Sequence, residues 1–119
     1  MGDQVTAVLI SGRSEQEGLA TLLEEAGYSV LQTHGEVDAV RKVLEEPDVV
    51  IFAGRNAQID GYDLLPLVRS LTDAPIVAIG PDDEATVVDA LSWGSDTYVR
   101  DDDVSGKLIP RIVALLRRR

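Results

Sequence analysis

Pro47-Asp-Val-Val-Ile-Phe-Ala-Gly-Arg-Asn-Ala-Gln-Ile-Asp-Gly61 is the stretch on which the reading of this chain turns. Residues 48–53 form a short apolar run between a proline and a glycine, the pattern of a strand buried on both faces. A polar loop over 54–60 follows, and a helical pattern opens at Gly61. In sheets built from strand–loop–helix units, ligands and chemistry gather beyond the carboxyl ends of the strands. This strand ends in Ala53, a methyl group.

Upstream, residues 5–10 make a nearly unbroken apolar run that stops at Ser11-Gly12, a second buried strand. Ser14 and Glu17 have the spacing of a capping box, and Leu19, Leu22, Leu23 and Ala26 line one face of the helix that ends at Gly27. A short strand over 28–32 and an apolar stripe of Val37, Val40, Val43 and Leu44 lead back to Pro47. Downstream, Leu64, Leu67, Val68 and Leu71 mark a helix interrupted by Pro66, and residues 75–79 a strand closed by Gly80-Pro81. Asp82 or Asp83 caps a helix with Val87, Val88 and Leu91 inward and Gly94 as its stop. A last strand over 96–100 precedes a helix carrying Leu108, Ile109, Ile112, Val113 and Leu116. Pro110 falls inside that helix, so it is expected to bend there or to begin properly only near Pro110, with Ser105-Gly106 irregular. Five β-α units with short connections predict a parallel sheet covered by helices on both faces, one α/β domain over 1–119.

The chain has 119 residues, 45% of them apolar, which supports a packed core and argues against disorder. A net charge of −10 argues against nucleic-acid binding by this chain alone. No cysteine is present, so disulfides, thiolate metal sites and cysteine nucleophiles are excluded. That fits a reducing, cytoplasmic setting, and no apolar run approaches the roughly 20 residues needed to span a bilayer. No Gly-rich phosphate loop, paired catalytic carboxylates or histidine base stands at a strand end, so enzymatic function is not expected.

Seven segments in order resemble one family, the receiver domain of two-component response regulators, with its CheY-like (flavodoxin-like) fold. They include Leu23-Glu-Glu-Ala-Gly-Tyr-Ser-Val30, the opening strand and Ile59-Asp-Gly-Tyr-Asp-Leu-Leu65. Ala74-Pro-Ile-Val-Ala-Ile79 and Trp93-Gly-Ser-Asp-Thr-Tyr98 follow, and Arg111-Ile-Val-Ala-Leu-Leu-Arg117 is similar to the last helix of winged-helix regulators of the OmpR/PhoB kind. The resemblance implies strand order 2-1-3-4-5. It also implies an acidic pair after strand 1 for Mg²⁺, a phosphoryl-accepting aspartate after strand 3, a hydroxyl residue after strand 4 and a lysine after strand 5. This chain has Ile10-Ser11-Gly12, Ala53, Gly80 and Asp101 at those positions. Phosphoryl transfer to a protein needs a nucleophile, here a carboxylate, and Mg²⁺ needs hard oxygen ligands. Phosphorylation at Ala53 is therefore excluded, and neither Mg²⁺ nor any other cofactor is expected.

The expected product is a pseudo-receiver that signals by binding. Tyr98 stands where the family has a switching aromatic; here it is either a fixed ring shielding the core or a surviving switch. Trp93 either covers the core or anchors a partner, and with Asp96 and Arg111 it marks the helix 4–strand 5–helix 5 face through which the related regulators dimerise. The vacated site, rimmed by Arg13, Arg55 and Arg100, is alternatively a small-molecule pocket, with Asp101 pairing with Arg13 or Arg55. His34 reads as a surface loop residue, and the aspartate runs at 82–83 and 101–103 as helix caps. Arg117-Arg118-Arg119 is either a charged helix end or the start of a linker to a DNA-binding output domain.

Overall fold

In the computed structural model the described residues are 4–11, 13–53 and 61–118, side chains excepted at 13–16 and 61–63. Five strands, β1 (Thr6–Ile10), β2 (Ser29–Gln32), β3 (Val49–Ala53), β4 (Ile76–Gly80) and β5 (Thr97–Arg100), form one parallel sheet in the order β2-β1-β3-β4-β5. Between and after them run α1 (Arg13–Glu25), α2 (Glu36–Val43), α3 (Gly61–Leu71), α4 (Glu84–Ser92) and α5 (Val104–Arg117), the last entered through a 3₁₀ turn at Asp101–Asp103. The expected flavodoxin-like sandwich is the observed fold.

Alternation along the strands divides the core. Val8, Ile10, Val50, Phe52, Ile76, Ala78 and Tyr98 pack under α2, α3 and α4. Ala7, Leu9, Val49, Ile51, Ala53, Val77, Ile79 and Val99 pack under α1 and α5. Every residue of the central strands β3 and β4 is buried, as a parallel sheet covered on both faces requires. Two aspartates set strand starts at the opposite end from the helix N-termini. Asp48 accepts the Thr6 N–H at 2.8 Å, and Asp96 accepts the Ile76 N–H at 2.8 Å.

Several expectations need correction. Helix α1 begins at Arg13, one residue before Ser14. Helices α3 and α5 run unbroken through Pro66 and Pro110, and Ser105-Gly106 are helical. Pro110 is exposed, so water can satisfy the carbonyl it leaves unpaired, and Gly106 four residues earlier has open space around it. The inward lines of α2 and α4 also differ from the expected stripes. In α2 the buried residues are Ala39 and Val43, while Val37 is 73% exposed and Leu44 also faces out. In α4 the buried residue is Ala90, with Val88 54% exposed and Leu91 outward. Two residues along a helix are about 200° apart, so an inward alanine turns the valine two positions earlier to solvent.

Candidate functional site

The sheet register brings the sequence-marked positions to one edge. Ile10 stands opposite Phe52, Ala53 opposite Ile79, and Gly80 opposite Arg100. Ile10, Ala53 and Gly80 are buried, Ala53 to within 3% of its surface, and Ser11 is half-buried. An aliphatic chain, a methyl group and a glycine therefore occupy the three central strand ends. They offer no anionic oxygen, and the donor set does not fit Mg²⁺. Asp101 is exposed on the 3₁₀ turn. Among the described residues, no group of three or more His, Cys, Asp or Glu side chains is placed to hold a metal ion. His34 is exposed on its loop, as expected. Gly12, Arg55 and the side chain of Arg13 lie outside the described residues, and with them the pairing of Asp101 with either arginine.

Strand β5 fastens the connection after β4. Tyr98 is 6% exposed, with its ring in the core and its hydroxyl donating to the Pro81 carbonyl at 2.8 Å. Arg100, two residues on and so on the same sheet face, donates from Nε to the Asp82 carboxylate at 2.6 Å. That hydrogen bond, then the Asp82 charge, raises the guanidinium's already high pKa further. Asp83 caps α4 by accepting the Thr86 N–H. Three consecutive residues, 81 to 83, are thus each held by a named bond. Sequence reading found Asp83 but not the Arg100–Asp82 pair. Its only signal is register, Gly80 beside Arg100, which the sequence does not print. Arg100, expected on the rim of a pocket, is committed to this pair.

The face made by α4, β5 and α5 carries Val88, Leu91 and Trp93 exposed on and just beyond α4, and Val113 on α5. The two charged residues marked there are engaged within the chain. Asp96 pairs with Arg69 at 3.0 Å as well as accepting the Ile76 N–H. Arg111 donates to Thr97 Oγ1 at 2.7 Å and to the Tyr98 carbonyl at 3.4 Å. Arg69 escaped sequence reading altogether. Its guanidinium reaches the carbonyls of Thr72, Ala74 and Gly94 besides Asp96, tying the end of α3 to both strands that follow.

No helix of the described residues is long and apolar enough to cross a membrane. A scan against protein-family models finds no match. A probable transcriptional regulator, ycf27, of Guillardia theta is 35% identical over 104 residues, which cover 84% of this chain and 40% of that protein. The chain thus spans less than half the length of that regulator. A two-component response regulator from Clostridium difficile superposes with a TM-score of 0.83 at 25% identity, covering 97% of this chain and 98% of the other. The receiver domain of the sensor histidine kinase PA1611 from Pseudomonas aeruginosa, which has a magnesium ion in its active-site cleft, gives a TM-score of 0.80 at 18% identity over 96% of this chain and 98% of that one. What is matched in each case is a regulator or a receiver domain, not an enzyme.

Proposed function

We propose that this chain, which belongs to the receiver-domain family of two-component response regulators, signals without phosphorylation, by pairing with a second copy of itself through the face of α4, β5 and α5. The observation that carries the reading is Ala53. The buried end of β3 holds a methyl group where phosphoryl chemistry needs a carboxylate, and Ile10, Gly80 and Asp101 supply none of the surrounding groups. Magnesium has no role in this reading.

The pairing face is supported by composition and charge. Val88 and Leu91 present apolar surface on α4, flanked by the exposed carboxylates Glu84 and Asp89. On α5 and at its end the exposed charges are cations, Lys107, Arg111, Arg117 and Arg118, of which Lys107 also pairs with Asp103 at 3.5 Å. Two copies related by a two-fold axis would set the acidic α4 of each against the basic α5 of the other. Since Asp96 and Arg111 are already bonded within the chain, they shape this face and leave the cross-copy ion pairs to the other charges. Tyr98 is read as a fixed ring: bonded to Pro81, it holds the connection into α4 in one arrangement without a phosphoryl signal. The length of the ycf27 regulator beyond the matched portion supports a covalently linked DNA-binding output domain. Such a domain, not this acidic chain, would contact DNA.

Sedimentation velocity across a wide concentration range, with and without acetyl phosphate and Mg²⁺, tests the proposal. A concentration-dependent dimer indifferent to acetyl phosphate and broken by Leu91→Asp is the expected result. A monomer at every concentration, or association that appears only with acetyl phosphate, would overturn it.

A further inference from the structure

We propose that the mouth between the ends of α2 and α3 docks a cationic segment of a partner protein that inserts an apolar side chain. A cleft of about 540 Å³ opens there, lined by Leu44, Glu46 and Pro47 on one side and Leu71, Thr72 and Asp73 on the other. These residues lead into β3 and β4, so the cleft lies at the opposite end of the sheet from Ala53 and Gly80. It is also distinct from the pairing face on α4 and α5.

Most of the lining surface is polar, and Leu44, Pro47 and Leu71 give it an apolar part. Leu44 is a large apolar side chain more than half exposed, Pro47 is buried and Leu71 half-buried. Val37 and Leu67 extend exposed apolar surface along the same two helices. Glu46 and Asp73 line it and are exposed, Glu45 is exposed next to Glu46 in the chain, and none of the three enters an ion pair among the described residues. Glu46 has φ 60°, and no other described non-glycine residue has a positive φ. A glycine would adopt that conformation more cheaply, so the backbone bears strain while a carboxylate stays in the lining.

Both walls are braced. The N–H groups of Leu44, Glu45 and Glu46 bond back to the carbonyls of Val40, Lys42 and Val43. Opposite, Arg69 holds the carbonyls of Thr72 and Ala74, and the Ala74 N–H donates to Thr72 Oγ1 at 3.0 Å. A site fixed in advance loses little freedom on binding.

The chemistry selects the occupant. Anionic partners are repelled by a net charge of −10. A bare cation gains nothing from Leu44, and a purely apolar group gains nothing from three carboxylates. A segment with one apolar anchor flanked by Lys or Arg satisfies both, in the manner of an amphipathic helix laid in a groove.

Fluorescence anisotropy and NMR shift mapping with helical peptides of Leu/Lys, Leu/Gln and Leu/Glu pattern, and with spermine, test this. The Leu/Lys peptide should bind and shift the amides of Leu44, Leu71 and Asp73. Leu44→Ser, and the pair Glu46→Gln with Asp73→Asn, should each weaken it by about tenfold or more. Glu24→Gln with Glu25→Gln, exposed carboxylates at the end of α1, should leave affinity unchanged. Circular dichroism confirms that each variant is folded. The proposal is overturned if the Leu/Lys peptide fails to bind, if Leu/Gln binds equally well, or if the α1 pair weakens binding as much as the cleft pair. Spermine binding that displaces the peptide, together with indifference to Leu44→Ser, would make this a simple cation site and overturn it too.

Discussion

The Tyr98 hydroxyl donates to the Pro81 carbonyl at 2.8 Å, so a ring buried in the core is tied to the first residue beyond β4. The bond sets where the chain turns toward α4. Tyr98→Phe keeps the ring and deletes only this bond. The expected cost is about 1 kcal/mol, a fall in Tm of about 4 °C for a chain of this size. Hydrogen exchange should also quicken at the Val87 amide, which bonds to the Asp83 carbonyl in the first turn of α4. Unchanged Tm and unchanged exchange would show that the bond holds nothing.

Gly94 and Arg69 constrain each other. Gly94 has φ +126°, and a Cβ added there would lie 2.7 Å from Arg69 Cγ. Arg69 in turn donates to the Gly94 carbonyl at 3.2 Å. Gly94→Ala therefore meets two penalties, the backbone conformation and the collision, together about 2–3 kcal/mol. Arg69→Ala removes the Cγ and Cδ contacts but leaves its Cβ at 2.9 Å, so it relieves part of the collision and none of the backbone cost. Denaturant unfolding of the single and double variants should then give a double-variant cost smaller than the sum, by more than about 0.5 kcal/mol. Additive costs would mean that Arg69 swings aside freely.

Asp38 makes part of the stability pH-dependent. Its carboxylate is held below the ordinary range, chiefly by accepting the His34 N–H and further by Lys42, against a smaller opposing effect of desolvation. A carboxylate with a depressed folded pKa contributes fully above the unfolded carboxylate range, around pH 4. That contribution drains away as pH falls from there through the folded value. Urea midpoints of the wild type and Asp38→Asn should differ most at neutral pH and converge below about pH 4. A gap that stays constant with pH would rule the charge out as its source.

The fold was legible because the central strands β3 and β4 announce themselves twice, by an unbroken apolar run and by a glycine or proline at its edge. Residues 48–53 were read within one position of the observed β3. The small residues at the strand ends were legible too, since Ala53 and Gly80 need only be located along the chain. Helix faces were harder. Weighting by hydrophobicity favours valine over alanine, yet α2 and α4 turn Ala39 and Ala90 inward and Val37 and Val88 outward. The reading therefore buried two valines that the structure leaves exposed. Contacts created by register, such as Arg100 with Asp82, or by long reach, such as Arg69 with Gly94, leave no local pattern at all. Both depend on where strands lie side by side, which the sequence orders only through the finished sheet.

Ala53 offers the sharpest test of whether the site is retired or merely altered. Restoring an aspartate there supplies the one group that phosphoryl transfer cannot do without. It does not supply Mg²⁺ ligands, because Ile10 has no oxygen to offer, nor a hydroxyl at Gly80, nor a cation at Asp101. The new carboxyl would also sit in a position that is 3% exposed, in the layer packed under α1 and α5. Burial disfavours its ionised form and raises its pKa, weakening it as a nucleophile. Ala53→Asp should therefore destabilise the fold by about 3 kcal/mol. It should also gain no phosphoryl group when incubated with acetyl phosphate and Mg²⁺, as read by intact-protein mass. Stoichiometric labelling of this single variant would mean that the remaining groups still form a working site and that the methyl group at 53 alone keeps the wild type from phosphorylation.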